Sequence, residues 1–288
     1  MAAPLTLTFL GTSAANAYPE PFCQCANCVR ARALGGPSLR KRSAALVNDD
    51  LLIDLGPDLP VASQQHGIAL TGVRFCLQTH PHADHLDASH LLSRTADYGT
   101  RGAPPLVFCA SPPTLDRLAW ALARDFAPAS ALDARSAAWL DVTWRAIQPY
   151  QPFTLGDYTI TAFPANHDPA MGSLLYAISR GGRTLFYGTD TGALGEEVWA
   201  AFARLGARFD VVVLDHTYGP EQVGGDHLSA RDVIAHAARM RAMGVLGAQG
   251  RVFGTHIAHE GNPPHPELSA WADAHGYAIA CDGLRIDV

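Results

Sequence analysis

Short apolar runs separated by glycine, proline and polar clusters dominate the chain. Leu5–Leu10 alternates in the manner of a strand and runs into Gly11-Thr12-Ser13. Ala44–Val47 and Leu51–Asp54 flank Asn48-Asp49-Asp50, the pattern of a hairpin. Val73–Gln78, Leu106–Ala110, Val142–Ile147 and Tyr158–Phe163 read as further strands. Leu174–Ser179 and Arg183–Tyr187 flank Gly181-Gly182, a hairpin signal because both turn positions tolerate positive φ. Val211–Leu214 and Val252–Thr255 have the continuous apolar character of buried strands, and Ala278–Ala280 and Leu284–Asp287 close the chain. Helical spacing appears over Pro113–Phe126, over Ser229–Met243 and over Pro266–His275. Ser229 with Asp232 three residues on makes a capping-box start for the second of these. Strands followed by a helix recur without a linker, a short-period repeat or a low-complexity tract. The pattern predicts one domain over residues 1–288, with two sheets packed together and helices outside, in the α/β or α+β class.

Composition narrows the classes. The 288 residues are 48% hydrophobic, enough for a substantial core. A net charge of −6 argues against a broad nucleic-acid footprint. No stretch reaches the ~20 apolar residues of a membrane span. Met1-Ala2-Ala3-Pro4 lacks the basic and apolar regions of a signal peptide, so the expected location is the cytoplasm. Of six cysteines, Cys23, Cys25 and Cys28 form CxCxxC, and Cys76, Cys109 and Cys281 sit in apolar contexts and read as buried small hydrophobes. In a reducing compartment the cluster reads as metal-binding rather than disulfide-forming.

The chemistry concentrates in Thr79-His80-Pro81-His82-Ala83-Asp84-His85, directly after a predicted strand. His80 and His82 are spaced to point at one metal, and Asp84 and His85 to serve a second. Nitrogen and oxygen donors suit Zn, Mn, Fe or Co rather than a thiolate site. His167, Asp190 and His256 each follow a strand-like run, where a rigid scaffold can hold a ligand. His259, three residues past His256, is a candidate fourth ligand for the three cysteines, since a closed structural zinc site needs four.

The HxHxDH loop resembles the signature of the metallo-β-lactamase-fold hydrolases, and the order of elements resembles their αββα four-layer sandwich of two mixed sheets flanked by helices. That resemblance implies two divalent metal ions, Mn or Zn with Fe as a further candidate. One would be held by His80, His82 and His167, the other by Asp84, His85 and His256, with Asp190 bridging. Asp54 matches an early acidic position that orients the histidine loop rather than binding metal. Di-iron oxygen-reducing members carry Glu where this chain has His82, so the resemblance favours hydrolysis. Phe9-Leu10-Gly11-Thr12-Ser13, the CxCxxC loop at about 20–42 with its arginines, HxHxDH and THxxH together resemble the phosphoribosyl cyclic phosphate phosphodiesterases of the carbon–phosphorus lyase pathway. Those proteins resemble tRNA 3′-processing endonucleases without the long exosite arm. This implies a structural zinc on Cys23, Cys25, Cys28 and His259. A pyrroloquinoline-quinone biosynthesis protein has a similar loop but lacks the full catalytic ligand set.

Within that resemblance His227, in Gly224-Gly225-Asp226-His227, matches a general acid, and Asp215 is placed to orient it, with His216 equally a structural residue. Arg30, Arg32, Arg40, Lys41 and Arg42 are candidate phosphate or ribose contacts, Arg40 and Arg42 foremost. His66, His90, His236, His265 and His275 show no partner pattern. Residues 87–150 are expected to cover the mouth of the site. The expected function is hydrolysis of a small cyclic phosphodiester such as ribose 1,2-cyclic phosphate 5-phosphate, by a hydroxide shared between the metals. The alternatives are a lactonase or thioesterase on the same fold, or a non-catalytic metal-binding protein. The expected partner is that small ester, with neither membrane nor nucleic acid, and a homodimer is the candidate assembly.

Overall fold

Leu7 and Phe9 of the first strand point into one apolar cluster, while Leu10 belongs to another. The same period-2 split recurs at Leu185 and Tyr187 against Phe186, and at Val211 and Val213 against Val212 and Leu214. Strands apolar on both faces must be covered on both faces. The computed structural model, which describes residues 4–125 and 132–288, shows how. Met1, Ala2 and Ala3 and the predicted helix end at Phe126 lie outside the described residues.

One sheet holds β1 (Thr6–Gly11), β2 (Ala44–Val47), β3 (Leu51–Ile53), β4 (Phe75–Leu77), β5 (Leu106–Ala110) and β6 (Val142–Ala146). The second holds β7 (Phe153–Leu155), β8 (Tyr158–Pro164), β9 (Leu174–Arg180), β10 (Arg183–Gly188), β11 (Phe209–Asp215), β12 (Leu246–Thr255) and β13 (Ala278–Ile279). The chain then returns to the first sheet as β14 (Arg285–Asp287), antiparallel to β1. In each sheet strands follow one another in sequence order, first antiparallel and then parallel. The inter-sheet core includes Phe9, Leu77, Tyr176, Tyr187 and Val213. Outside the first sheet lie α2 (Leu59–His66), α3 (Ser89–Ser93), α4 (Pro112–Asp125) and α5 (Ala134–Leu140), and outside the second α1 (Ala26–Leu34), α6 (Glu196–Arg204), α7 (Ala230–Ala242) and α8 (His265–Asp273). The result is the four-layer αββα sandwich of two mixed seven-stranded sheets.

Two local predictions hold in detail. Gly181 and Gly182 take φ of 59° and 80° between β9 and β10, the left-handed pair a two-residue hairpin needs. Ser229 caps α7 with the reciprocal Asp232 contact. Gly11 is required for a different reason: a Cβ there would overlap the Arg42 carbonyl oxygen. Cys76 and Cys109 are fully buried, as read, whereas Cys281 is half-buried after β13, and all six cysteines are free thiols. Among the described residues no helix is long and apolar enough to cross a membrane.

The structure corrects the expectation for residues 87–150. They supply β5, β6, α3, α4 and α5, which build the far edge of the first sheet and its outer layer. None of the described ones lines the cleft in which the candidate ligands meet.

Candidate functional site

The site lies where strands of both sheets end. Asp54 follows β3, the HxHxDH loop follows β4, His167 follows β8, Asp190 follows β10 and His256 follows β12. Asp54, Asp190 and His256 have φ of 66°, 56° and 59°, a conformation that costs a non-glycine residue about 1–2 kcal/mol. The surrounding hydrogen bonds hold that strain in place.

The histidine loop is fixed from beneath. Gln78 donates through Nε2 to the carbonyls of His80 at 2.8 Å and His85 at 2.9 Å, and to Asp54 Oδ1 at 3.0 Å. Asp54 also accepts from the Thr79 amide at 2.7 Å, and its Oδ2 lies 2.7 Å from His85 Nδ1. With Nδ1 held, His85 turns Nε2 towards Asp84 Oδ2 at 3.1 Å and Asp190 Oδ2 at 3.0 Å. Asp54 is therefore an orienting group beneath the site. From the opposite sheet the Tyr176 hydroxyl donates to the Gln78 carbonyl at 2.6 Å, which ties the two layers together two residues before His80. We expect Asp54→Ala to lower the unfolding free energy by about 3–5 kcal/mol, because it leaves the Thr79 amide and His85 without their buried partner. Urea unfolding at neutral pH measures this, and a loss below about 1 kcal/mol would show that the loop does not depend on Asp54.

Two groups of donor atoms meet above this floor. His80, His82, His167 and Asp190 form one, and Asp84, His85, Asp190 and His256 the other, each with its atoms within 4.8 Å of one another. Asp190 is common to both. Burial disfavours ionisation of Asp84 and Asp190, but His85 beside the first, and His256, His80 and His85 around the second, outweigh it and hold both far below the usual carboxylate range. Burial, with His85 nearby, pushes His80 down to about 4, and burial also lowers His167, so both imidazoles are neutral donors. His167 Nδ1 and Asp190 Oδ1 are buried without a hydrogen-bond partner. Orphaned polar atoms aimed into a cluster of imidazoles and carboxylates fit divalent cations, and the all-nitrogen-and-oxygen donor set fits the same chemistry.

His227 stands at the edge of these groups, its ring stacked on that of His256. Its Nδ1 is 3.1 Å from Asp215 Oδ2 and 3.3 Å from Asp190 Oδ1. Burial lowers the His227 pKa, but the Asp215 hydrogen bond and the charges of Asp215, Asp190 and Asp226 outweigh it and raise it to about 9. Asp215 is fully buried and does not line the cleft, and its Oδ1 accepts from the amides of Thr217 at 2.9 Å and Leu228 at 3.1 Å. His216 is structural, bonded to Asn262 and Tyr277 and held down near 4 by burial. The sequence reading missed Thr217, whose hydroxyl reaches Asp215, His256 and His227 at 3.0, 2.8 and 3.3 Å. It also missed His236, which accepts from the Leu194 amide at 3.1 Å and pins the loop after Asp190 to α7. The only sequence signal for Thr217 is its place two residues after Asp215.

A second cluster lies apart from the cleft. Cys23, Cys25, Cys28 and His259 present donor atoms within 4.8 Å of one another. His259 Nδ1 is 3.5 Å from Cys25 Sγ and 3.9 Å from Cys23 Sγ, and Asn27 holds the His259 carbonyl at 2.9 Å. Burial raises the Cys25 thiol, but the Cys28 amide at the start of α1, with Cys23 and His259, outweighs it and brings it to about 7. Three thiols and one imidazole in this arrangement fit zinc.

The basic segment does not reach the cleft, which corrects the expectation of substrate contacts. Arg40 is buried against Thr12 Oγ1, the Ala280 carbonyl and His265 Nδ1, linking both chain ends to α8. Arg42 pairs with Asp58, Lys41 with Asp282 and Arg30 with Glu267, and Arg32 donates to the Glu20 carbonyl. These cations are committed to holding the N-terminal loop.

A family model for the β-lactamase superfamily domain matches residues 50–257. The chain belongs to this superfamily. It is a metallo-β-lactamase-fold hydrolase, and the match spans every candidate catalytic ligand. A diphosphatase of the PhnP family is similar in structure, with 20% identity, a TM-score of 0.73, and coverage of 100% of this chain and 98% of that one. Zn(2+)-bound PqqB from Methylobacterium extorquens has 21% identity and a TM-score of 0.68, with 98% and 100% covered. Human tRNase Z, short form, has 16% identity and a TM-score of 0.62, with 98% of each chain covered. At these identities the likeness shows the fold. No curated protein matches the sequence.

Proposed function

We propose that this β-lactamase superfamily hydrolase is a phosphodiesterase acting on a small cyclic phosphodiester of a ribose-like polyol. The observation that carries the reading is the His227–Asp215 pair standing over two donor groups that share Asp190. A thioesterase, which expels a thiolate, needs less help with its leaving group than a diester that must expel an alkoxide. In the proposed site His80, His82 and His167 would hold one divalent cation, Asp84, His85 and His256 another, and Asp190 both. A bound pair, manganese or zinc with iron as a further candidate, would activate water and neutralise charge on a phosphoryl group. The chain's own part is positional. Asp215 fixes His227 Nδ1, which leaves Nε2 for the departing oxygen, and His227 transfers its proton there as the phosphorus–oxygen bond breaks. Thr217 holds His256 and Asp215 in register so that ligand and acid keep their relative position.

The test is turnover by manganese-loaded protein on ribose 1,2-cyclic phosphate, a 2′,3′-cyclic nucleotide, bis(4-nitrophenyl) phosphate, a lactone and a thioester. Preference for a cyclic diester supports the reading. Turnover of the lactone or thioester alone replaces it with carbonyl hydrolysis, and two bound cations with no turnover replaces it with a binding role.

The cysteine cluster is proposed as a structural zinc site that locks the N-terminal loop to the segment after β12. We expect Cys28→Ser to lose one equivalent of zinc and lower the melting temperature by roughly 5–10 °C. Elemental analysis alongside calorimetry checks both, and an unchanged zinc content would remove the assignment.

A further inference from the structure

The cleft over the candidate ligands has a volume of about 410 Å³. Beyond the ligand residues and His227 its wall carries Asp226, Glu260, Asn16, Gln222 and Tyr218. No lysine or arginine lines it among the described residues. The nearest basic segment is spent elsewhere, with Arg40 buried and Arg42 paired to Asp58. A helix N-terminus could substitute for a cation, and α7 begins just past His227. Its first turn is already closed by the Ser229–Asp232 capping box, however. Asp226 and Glu260 are both exposed at the cleft, with Asp226 accepting from the Tyr218 hydroxyl and Glu260 Oε1 lying 3.3 Å from His259 Nε2.

We propose that the cleft selects an ester whose body beyond the reacting phosphate carries no second anion, with Asp226 and Glu260 as the residues that reject one. This rests on the phosphodiesterase reading and sharpens it. The reacting phosphate would be met by the cations the two donor groups are proposed to hold, but a second phosphate on the body finds no lysine or arginine in the described lining and meets two carboxylates. Hydroxyl groups find acceptors in the same two carboxylates and in Asn16 and Gln222, and donors in Asn16 and Gln222. The substrate class is therefore the cyclic phosphate of a neutral polyol or nucleoside, rather than the 5-phosphorylated compound that the sequence resemblance suggests. Like charges placed face to face are a means of excluding the wrong ligand, and they act on binding.

The experiment compares ribose 1,2-cyclic phosphate with its 5-phosphate on the full, manganese-loaded chain. The unphosphorylated compound should have at least a tenfold higher kcat/KM, with the difference mostly in KM. Raising the salt from low to high should narrow that ratio, because the repulsion is screened. An Asp226→Asn, Glu260→Gln double variant should narrow it further. Gln at 260 keeps an oxygen for His259, so the zinc cluster is spared. Equal or better use of the 5-phosphate, or a ratio that neither salt nor the double variant moves, overturns the proposal. Calorimetry with ribose 1-phosphate and ribose 1,5-bisphosphate gives a readout without turnover, and tighter binding of the bisphosphate also overturns it. Failure to hydrolyse either cyclic phosphate or bis(4-nitrophenyl) phosphate sinks the phosphodiesterase reading instead, and the binding comparison still decides the charge preference.

Discussion

Replacing Asp190 by alanine should lower kcat/KM for any diester by at least ~10³-fold and leave the protein unable to retain a pair of cations. The reason is its position. Oδ2 lies 3.1 Å from His80 Nε2, 3.0 Å from His85 Nε2 and 3.5 Å from His256 Nε2, while Oδ1 is 3.5 Å from His167 Nδ1. It is the one side chain common to both donor groups and also to the group containing Asp215 and His227. Removing it leaves Asp84 as the sole carboxylate of the two donor groups, among five imidazoles. Alanine also takes up a φ of 56°, which costs about 1–2 kcal/mol by itself. Asp190→Asn separates the two effects, since asparagine tolerates the left-handed conformation and keeps the shape while losing the charge. Both variants should remain folded by circular dichroism, and both should bind fewer than two equivalents of manganese. An Asp190→Asn protein with two equivalents and turnover within about tenfold of the parent would show that Asp190 does not hold the site together.

The ligand loop was legible because its chemistry is contiguous: four donor residues follow one apolar run, and the physical demand for rigid support puts them at a strand end. His167, Asp190 and His256 were legible for the same reason, each closing a strand-like run. Sequence patterning fails where the deciding contact is long-range. Arg40 reads as a candidate substrate contact in a basic segment, and only the approach of Ala280, Thr12 and His265 makes it a buried pin. Thr217 has no meaning until His256 and His227 are brought beside it. Helix α1 escaped notice because only Cys28 and Ala31 of its nine residues are buried, so it has no apolar stripe. Helix α6 is a different case, because Val198, Trp199 and Phe202 stand at helical spacing and do carry a sequence signal. The run 87–150 was misplaced because periodicity names strands and helices but not the end of a sheet from which their loops emerge.

His227→Ala should separate proton donation from metal binding. The His227 ring is positioned by Asp215 at 3.1 Å and by stacking on His256, and it lines the cleft. It is not among the residues of the two groups proposed to hold cations, so manganese content should stay at the parental value. Loss of a general acid costs about 10²–10⁴-fold when the leaving group is a poor one, such as a sugar alkoxide. A 4-nitrophenolate leaves without protonation, so bis(4-nitrophenyl) phosphate should lose tenfold or less. Asp215→Asn gives the companion measurement. It keeps an acceptor for the Thr217 and Leu228 amides but removes the charge that holds the imidazole in its donor orientation, and it should reproduce the same leaving-group dependence in weaker form. The decisive quantity is the ratio of the two losses. A His227→Ala protein that loses activity equally on the alkoxide and nitrophenolate diesters uses His227 to bind or to pack, and the proton must then come from elsewhere. A ratio of about 10² or more with unchanged metal content assigns the proton to His227.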